Sequence, residues 1–587
     1  MKKLLSGNQA IARGAYEAGC KFASAYPGTP STEILETLAA YDEIYSEWSP
    51  NEKVALEAAT GAAFSNARSL AAMKHVGVNV AADPLFTLSY TGTRGGIVII
   101  TADDPGMHSS QNEQDNRHYA IAAKIPMLEP SDSQEAKDFT MRAFELSEEY
   151  DAPVLLRTTT RIAHSECLVE IGERVELDRD YAFERDQAKF VMVPAHARAR
   201  HVLVEERMRQ LAEYAETCKE NVVEERKTDI GIITSGIAYQ YVREVLPEAS
   251  ILKIGLVNPL PRRLIRDFAA RVGKLYVIEE LDPIIEKHVR SLGIEVEGKP
   301  DEFRCGEIGP AKIRSFILGA SIPGASPAAK AHPPVMCPGC PHRGIFHALN
   351  RLKLLVMGDI GCYTLGVAPP LNSIDTCVDM GASISHAVGA SHVVPPERQK
   401  AMVAVIGDST FIHSGITGLI NAVYNKANLT LIILDNRTTA MTGGQPHPAT
   451  GRTIKGEETF RLDLVNICRA CGATSVRVID PYDLTASRAA IETATREDGV
   501  SVLITNRPCM LIDKSAWNPP YRIDEEKCSA CKACLTLGCP AIVDHSTGAE
   551  KAAPEINSLL CTGCGLCGQV CKFDAIVPRE TATDTTR

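Results

Sequence analysis

Met402-Val403-Ala404-Val405-Ile406-Gly407-Asp408-Ser409 and Leu429-Thr430-Leu431-Ile432-Ile433-Leu434-Asp435-Asn436 bracket the stretch whose reading decides the fold. Each is an apolar β run that ends in polar residues, and Ile416 to Asn425 between them has helix-compatible sequence. A strand–helix–strand unit brings the carboxyl ends of both strands together, where open α/β sheets bind ligands. Asp408 and Asn436, 28 residues apart, would meet there. A carboxylate and an amide oxygen are hard ligands suited to Mg²⁺, which in turn takes phosphate oxygens. On these residues alone, a plain turn explains Gly407-Asp408-Ser409 equally well.

The same alternation of strand and helix runs outward from this core. Residues 1–195 mix short β-like runs, Ile97 to Ile100 and Val154 to Leu156, with Ala-rich stretches of helical spacing such as Val54 to Ala71. A charged, helix-prone segment at 196–227 reads as a linker helix. A second unit at 228–325 opens with Asp229-Ile230-Gly231-Ile232-Ile233-Thr234-Ser235-Gly236 and has further strands at Ile251 to Ile254 and Leu275 to Glu279. Ile322 to Pro334 is rich in Pro, Ala and Gly and reads as a linker before the third unit, 330–515. The expected fold class is therefore α/β, with three parallel-sheet units in series, followed by a cysteine-rich module at 520–580.

The chain has 587 residues, 45% apolar and 23% charged, enough for several globular cores. A net charge of -11 with no basic block argues against nucleic acid as a partner. No apolar run approaches the roughly 18 residues of a membrane span. Met1-Lys2-Lys3-Leu4-Leu5-Ser6-Gly7 has the charge of a signal peptide but no apolar core behind it, so the expectation is a cytoplasmic protein without a membrane. Nineteen cysteines in that setting point to metal or redox chemistry rather than disulfides.

Eight of those cysteines form Cys528-x2-Cys531-x2-Cys534-x4-Cys539-Pro540 and Cys561-x2-Cys564-x2-Cys567-x3-Cys571. Three thiolates at this spacing wrap one corner of an Fe4S4 cube, and a remote fourth closes the other cube. Two zinc sites are the alternative. The tail resembles a two-[4Fe–4S] ferredoxin module. That resemblance assigns Cys528, Cys531, Cys534 and Cys571 to one cluster and Cys561, Cys564, Cys567 and Cys539 to the other. The first run is one residue longer than the usual pattern, and Lys572 stands where a proline is usual.

With this tail, the Gly407-Asp408-Ser409…Asn436 pattern resembles the diphosphate-binding motif of thiamine enzymes, with Ser409 where many members have glycine. The resemblance implies thiamine diphosphate and Mg²⁺, with Asp408, Asn436 and the backbone carbonyl of Thr438 as metal ligands. Glu52-Lys53-Val54-Ala55-Leu56-Glu57-Ala58-Ala59-Thr60-Gly61 is similar to the stretch of 2-oxoacid:ferredoxin oxidoreductases that supplies the glutamate for the cofactor's aminopyrimidine. Glu52 is the candidate, Glu57 the rival, and a solvated glutamate at a helix start the alternative. Tyr26-Pro27-Gly28-Thr29-Pro30 is similar to that family's substrate-side loop, with Thr29 toward the oxoacid; a simple turn is the alternative. Lys74-His75 and Asp104-Pro105-Gly106-Met107-His108 look like further loops over the site, with structural or surface roles open for His75 and His108. Cys337-Pro338-Gly339-Cys340-Pro341-His342 resembles the CxxC of a cluster near thiamine in the pyruvate relatives. Cys362 and Cys509 would complete a third cluster, Cys468-x2-Cys471 is a competing pair, and zinc or plain reduced thiols remain open.

The order of these features resembles the large subunits of indolepyruvate:ferredoxin oxidoreductases. It implies a pyrimidine-binding domain (1–195), a middle domain (228–325), a diphosphate-binding domain (330–515) and a ferredoxin-like domain (520–580). The implied reaction is oxidative decarboxylation of an arylpyruvate with coenzyme A, passing electrons to ferredoxin. The implied partner is a smaller subunit, in a heterotetramer of two large and two small chains. Phenylglyoxylate or pyruvate as substrate, or an electron-transfer subunit with an inactive thiamine site, are the rival readings.

Overall fold

The structure is a computed structural model describing residues 1–322, 334–546 and 552–579. The chain forms two compact units, Met1–Ala328 and Ala329–Arg587. Among the described residues, no helix is long and apolar enough to cross a membrane. The linker reading for Ile322 to Pro334 falls mostly on residues 323–333, outside the described set.

A seven-stranded sheet organises the first unit, in the order Leu256–Asn258, Met127–Leu128, Val154–Thr159, Ile97–Asp103, Ser69–Lys74, Phe22–Ala25, Tyr45–Trp48. All its pairings are parallel except the one that Leu256–Asn258 makes with Met127–Leu128. Ile97–Asp103 and Val154–Thr159 are buried along their whole length, as central strands covered on both faces must be. A second, four-stranded sheet is built on the parallel strands Lys274–Ile278, Lys227–Thr234 and Ala249–Lys253, with Val222–Glu224 antiparallel at its edge. One apolar cluster joins the two sheets, bringing Ile99 and Leu155 together with Ile233, Leu252 and Val277. Residues 1–195 and the described part of the second unit read from sequence, 228–322, thus share a core.

Two local expectations need correction. The helical stretch read from Val54 to Ala71 ends at Phe64, and Ser69–Lys74 is a strand. Asn66, at φ +70°, takes the left-handed turn that Ala spacing alone does not reveal. The helix Pro194–Ala215 is more than a linker, because Val204, Leu211 and Ala215 are buried and Arg207 donates to the carbonyls of Ser89 and Asp151.

In the second unit, five parallel strands run in the order Leu355–Met357, Met402–Gly407, Leu429–Asp435, Val500–Asn506, Ser475–Ile479. The tail adds two short antiparallel ribbons, Tyr521–Ile523 with Ile576–Pro578 and Ile542–Val543 with Glu555–Ile556. Its small apolar cluster, including Leu537 and Leu566, also takes in Tyr482 and Leu484 of the α/β layer. The module is docked on that layer.

Candidate active site

Gly407 pairs with Leu434 across two parallel strands, so Asp408 and Asn436 leave the second unit's sheet at the same end. Asp408 opens a helical run that continues through a π-turn to Tyr424. Its buried carboxylate accepts from the N–H of Ser409 (2.8 Å) and of Arg437 (2.9 Å), and His447 Nε2 lies 3.2 Å away. Burial alone would raise this carboxyl, but His447 and the backbone donors outweigh it and hold it low. Asp435 beside it is pushed up by burial and by the Asp408 charge.

Asn436 accepts at Oδ1 from Thr438 N–H and donates from Nδ2 to His342 Nε2, each at 3.3 Å. Burial pushes His342 down to about 4, so the ring is neutral at physiological pH. With Nε2 accepting, its proton sits on Nδ1, an atom that is buried and has no hydrogen-bond partner among the described residues. Ser409 accepts from Thr439 Oγ1 (3.0 Å), and Thr438 is buried. Gly407 lies against Tyr363: a Cβ there would stand 2.8 Å from a ring carbon. A buried carboxylate and a carboxamide at the carboxyl end of the strands, with an orphaned imidazole N–H beside them, fit a divalent cation and a diphosphate.

In the first unit, Glu52 begins the helix Glu52–Phe64 behind the cap Asn51, whose side chain accepts from Val54 N–H (2.9 Å). Glu52 is 4% exposed, and a Cβ on Gly77 would come within 2.8 Å of its Oε1. Gly77 therefore leaves room for this carboxyl against the segment His75–Val80. Glu57 points outward, its side chain 46% exposed and paired with Lys53. The stem of Lys74 packs on Gly28, and its Nζ donates to Ser109 O (3.0 Å). Burial lowers its pKa against the pull of Asp104 and Glu52. Ser109 Oγ reaches Thr29 O (3.3 Å), so the loops of Thr29 and Ser109 meet. His75 is fully buried with Nε2 on Asn112 O (3.2 Å), whereas His108 is half-exposed and faces Glu307 at 3.2 Å.

The eight tail cysteines line two cavities. Cys528, Cys531, Cys534 and Cys571 surround one, and Cys539, Cys561, Cys564 and Cys567 surround the other. Among the described residues, no three His, Cys, Asp or Glu side chains converge to hold a single metal ion. Each cavity instead offers four soft sulfur donors around a void, the donor set that a cube fits. Burial pushes the Cys340 thiol up to about 12, with Cys362 and Cys337 adding to the rise as neighbours. Cys362 is pushed up to about 11 by burial, then by Cys509 and Cys337. The four cysteines read from sequence as a third group are thus electrostatic neighbours. Cys468 is buried on the helix Leu464–Ala470, with Cys471 just past its end.

Sequence reading missed His447 and the role of His342. The first sits in a loop with no motif, and the second was quoted only as the end of a cysteine motif.

Three family models match the chain. Residues 359–505 match "Thiamine pyrophosphate enzyme, C-terminal TPP binding domain", and residues 13–230 match "Pyruvate flavodoxin/ferredoxin oxidoreductase, thiamine diP-bdg". Residues 520–572 match "4Fe-4S dicluster domain". Fold, site and models define a thiamine-diphosphate-dependent oxidoreductase with iron–sulfur clusters on the same polypeptide. Indolepyruvate oxidoreductase subunit IorA of Archaeoglobus fulgidus is 42% identical over 99% of this chain and 98% of its own length. The subunit of the same name from Methanothermobacter marburgensis is 43% identical over 98% of this chain and 97% of its own. The chain belongs to the indolepyruvate oxidoreductase subunit IorA family. A solved 2-oxoglutarate:ferredoxin oxidoreductase from Magnetococcus marinus aligns with 54% of this chain and 65% of its own at 19% identity, TM-score 0.46.

Proposed function

We propose that this chain is the catalytic subunit of an indolepyruvate:ferredoxin oxidoreductase, converting indolepyruvate, coenzyme A and oxidised ferredoxin to indoleacetyl-CoA, CO₂ and reduced ferredoxin. The observation that carries this reading lies within one unit. Asp408 and Asn436 end adjacent parallel strands, and eight cysteines surround two cavities. When bound, thiamine diphosphate supplies the electron sink for decarboxylation, and [4Fe–4S] clusters take the two electrons one at a time.

The chain's own residues prepare this. Asp408, Asn436 and the carbonyl of Thr438 would hold Mg²⁺, and Ser409 and the Nδ1–H of His342 would be available to the diphosphate. His447 keeps Asp408 ionised. Glu52 would accept a hydrogen bond from the aminopyrimidine, and its burial would shield that bond from water. Thr29, on the loop that Ser109 steadies, orients the oxoacid. The two tail groups hold two clusters. Cys337, Cys340, Cys362 and Cys509 hold a third, a reading favoured by their mutual electrostatic contact. A smaller subunit and ferredoxin are the partners, in a heterotetramer of two chains of each kind.

The test is an activity panel of indolepyruvate, phenylpyruvate, phenylglyoxylate and pyruvate, with the small subunit present, on wild type, Asp408→Ala and Glu52→Gln. Indolepyruvate is expected to be turned over fastest, Asp408→Ala to lose bound cofactor, and Glu52→Gln to keep cofactor but lose nearly all turnover. Normal thiamine content in Asp408→Ala would sink the metal-site assignment. An active Glu52→Gln beside a dead Glu57→Gln would move the role to Glu57.

A further inference from the structure

Arg343, in the helix His342–Leu352, is only 2% exposed, yet among the described residues no carboxylate pairs with it. Its guanidinium donates to three backbone carbonyls: Leu537 (2.7 Å), Met336 (2.6 Å) and Cys337 (3.0 Å). Its Nε has no hydrogen-bond partner among the described residues. A buried cation facing only carbonyl dipoles is costly unless negative charge lies nearby.

The surroundings show where that charge belongs. Arg343 lines the same cavity as Cys539, Cys561, Cys564 and Cys567. It acts electrostatically on Cys564 on one side and on Cys340 on the other. Among its described lining residues, the cavity of Cys528, Cys531, Cys534 and Cys571 has no buried cation: Lys532 is paired through Nζ with Asp544 at 2.8 Å, and Lys572, which acts on Cys531, is exposed to solvent.

Other contacts also dock the tail. Gly339 approaches Thr562 so closely that a Cβ on it would overlap the threonine hydroxyl. Tyr482 donates to Gly339 O, and Gln569 ties Tyr482 O (2.6 Å) to Leu484 N–H (3.0 Å). The charge of Arg343 can therefore be removed while these contacts stay.

We propose that Arg343 is a potential-setting residue. Its buried positive charge, held against the cavity of Cys539, Cys561, Cys564 and Cys567, favours the reduced state of the cluster bound there. This rests on the reading that these cysteines hold a [4Fe–4S] cluster. Four thiolates give such a cluster a net negative charge, and each one-electron reduction adds one more. A fixed cation beside it, little screened by salt, raises its reduction potential relative to the other tail cluster. Electrons are thereby drawn first to the cluster that abuts the Cys337-Pro338-Gly339-Cys340 loop.

The experiment is an anaerobic redox titration of the iron-loaded holoenzyme followed by EPR, comparing wild type with Arg343→Met, Arg343→Gln and Arg343→Lys. Cys531→Ser identifies the far cluster, and Cys509→Ser the third, by loss of their signals, which leaves the near one. In the two neutral variants the near cluster should be reduced only at more negative potential, while the far cluster stays put. Arg343→Lys, which keeps the charge, should titrate near wild type, and it remains informative if a neutral variant does not fold. An unmoved near cluster in the neutral variants, or an equal shift in Arg343→Lys, overturns the proposal. If wild-type holoenzyme shows no near-cluster signal at all, the iron–sulfur reading fails first and the proposal with it.

Discussion

Arg117 and Arg157 of the first unit and Arg343 of the second are buried in different settings. In the first, Arg117 is bidentate to Asp115 (2.6 and 3.0 Å) and also reaches Glu279 (2.6 Å), all nearly inaccessible to water. Arg157, fully buried, pairs with Asp103 at 2.7 Å and with Glu129. In the second, Arg343 meets only carbonyls and the edge of a cysteine-lined cavity. The first unit balances Arg117 and Arg157 with its own carboxylates, tying the helix Arg117–Ala123 to Glu279 at the end of the second sheet, although its Arg207, like Arg343, donates to backbone carbonyls. The second leaves a charge that its own described carboxylates do not balance. The first should therefore be indifferent to iron, and the second should not.

Three measurements would break or sharpen that contrast. The largest effect should come from Arg157→Met, which strands Asp103 and Glu129 in the interior. Removing one side of a buried ionic group costs about 3–5 kcal/mol. The loss, read from urea unfolding of the first unit, should be the same with and without iron. An iron-dependent loss would erase the distinction between the units. Arg343→Met comes next. In iron-loaded protein it should cost about 2 kcal/mol through lost charge-assisted hydrogen bonds. In iron-depleted protein it should be neutral or stabilising, because it removes an uncompensated cation. Equal effects in both states would show that the protein alone balances Arg343.

The smallest effect is a pH dependence confined to the first unit. Burial would raise the Glu148 carboxyl, but Arg68 and Arg179 outweigh it and hold it at about 2. A depressed folded pKa gives stability that is complete above the ordinary glutamate range, near pH 4.3, and lost as pH falls toward 2. Glu148→Gln should flatten this acid limb in thermal unfolding of iron-depleted protein. An unchanged limb would show that other carboxyls carry it.

How far the site could be read in advance depended on how local its signals are. Cysteine spacing is local, since a triplet two residues apart has one geometry wherever the chain places it, so the two tail triplets were legible, while the fourth cysteine of each group followed from the resemblance to a ferredoxin module. Asp408 and Asn436 were legible because each closes an apolar strand. Glu52 and Glu57 were both open: sequence shows two carboxylates near a helix start but not which one the neighbouring segment covers. Gly77 leaves room for Glu52, and Lys53 keeps Glu57 at the surface. His447, 39 residues from Asp408, and Arg343, 194 residues from the Leu537 carbonyl it binds, left no local signal.

The resemblance to a ferredoxin module supplied the fourth member of each cysteine group, while the order of residues alone carried the α/β alternation, the strand ends of Asp408 and Asn436, and the two cysteine triplets. Each rests on periodicity or spacing within a few tens of residues, which backbone geometry converts directly into position. It took the folded molecule to show that Leu256–Asn258 completes the first sheet and that the tail docks on the α/β layer. Those outcomes depend on burying apolar surface and placing charge between segments far apart in the chain. Such long-range pairings have no period to read, because they are fixed by which surfaces exclude water together.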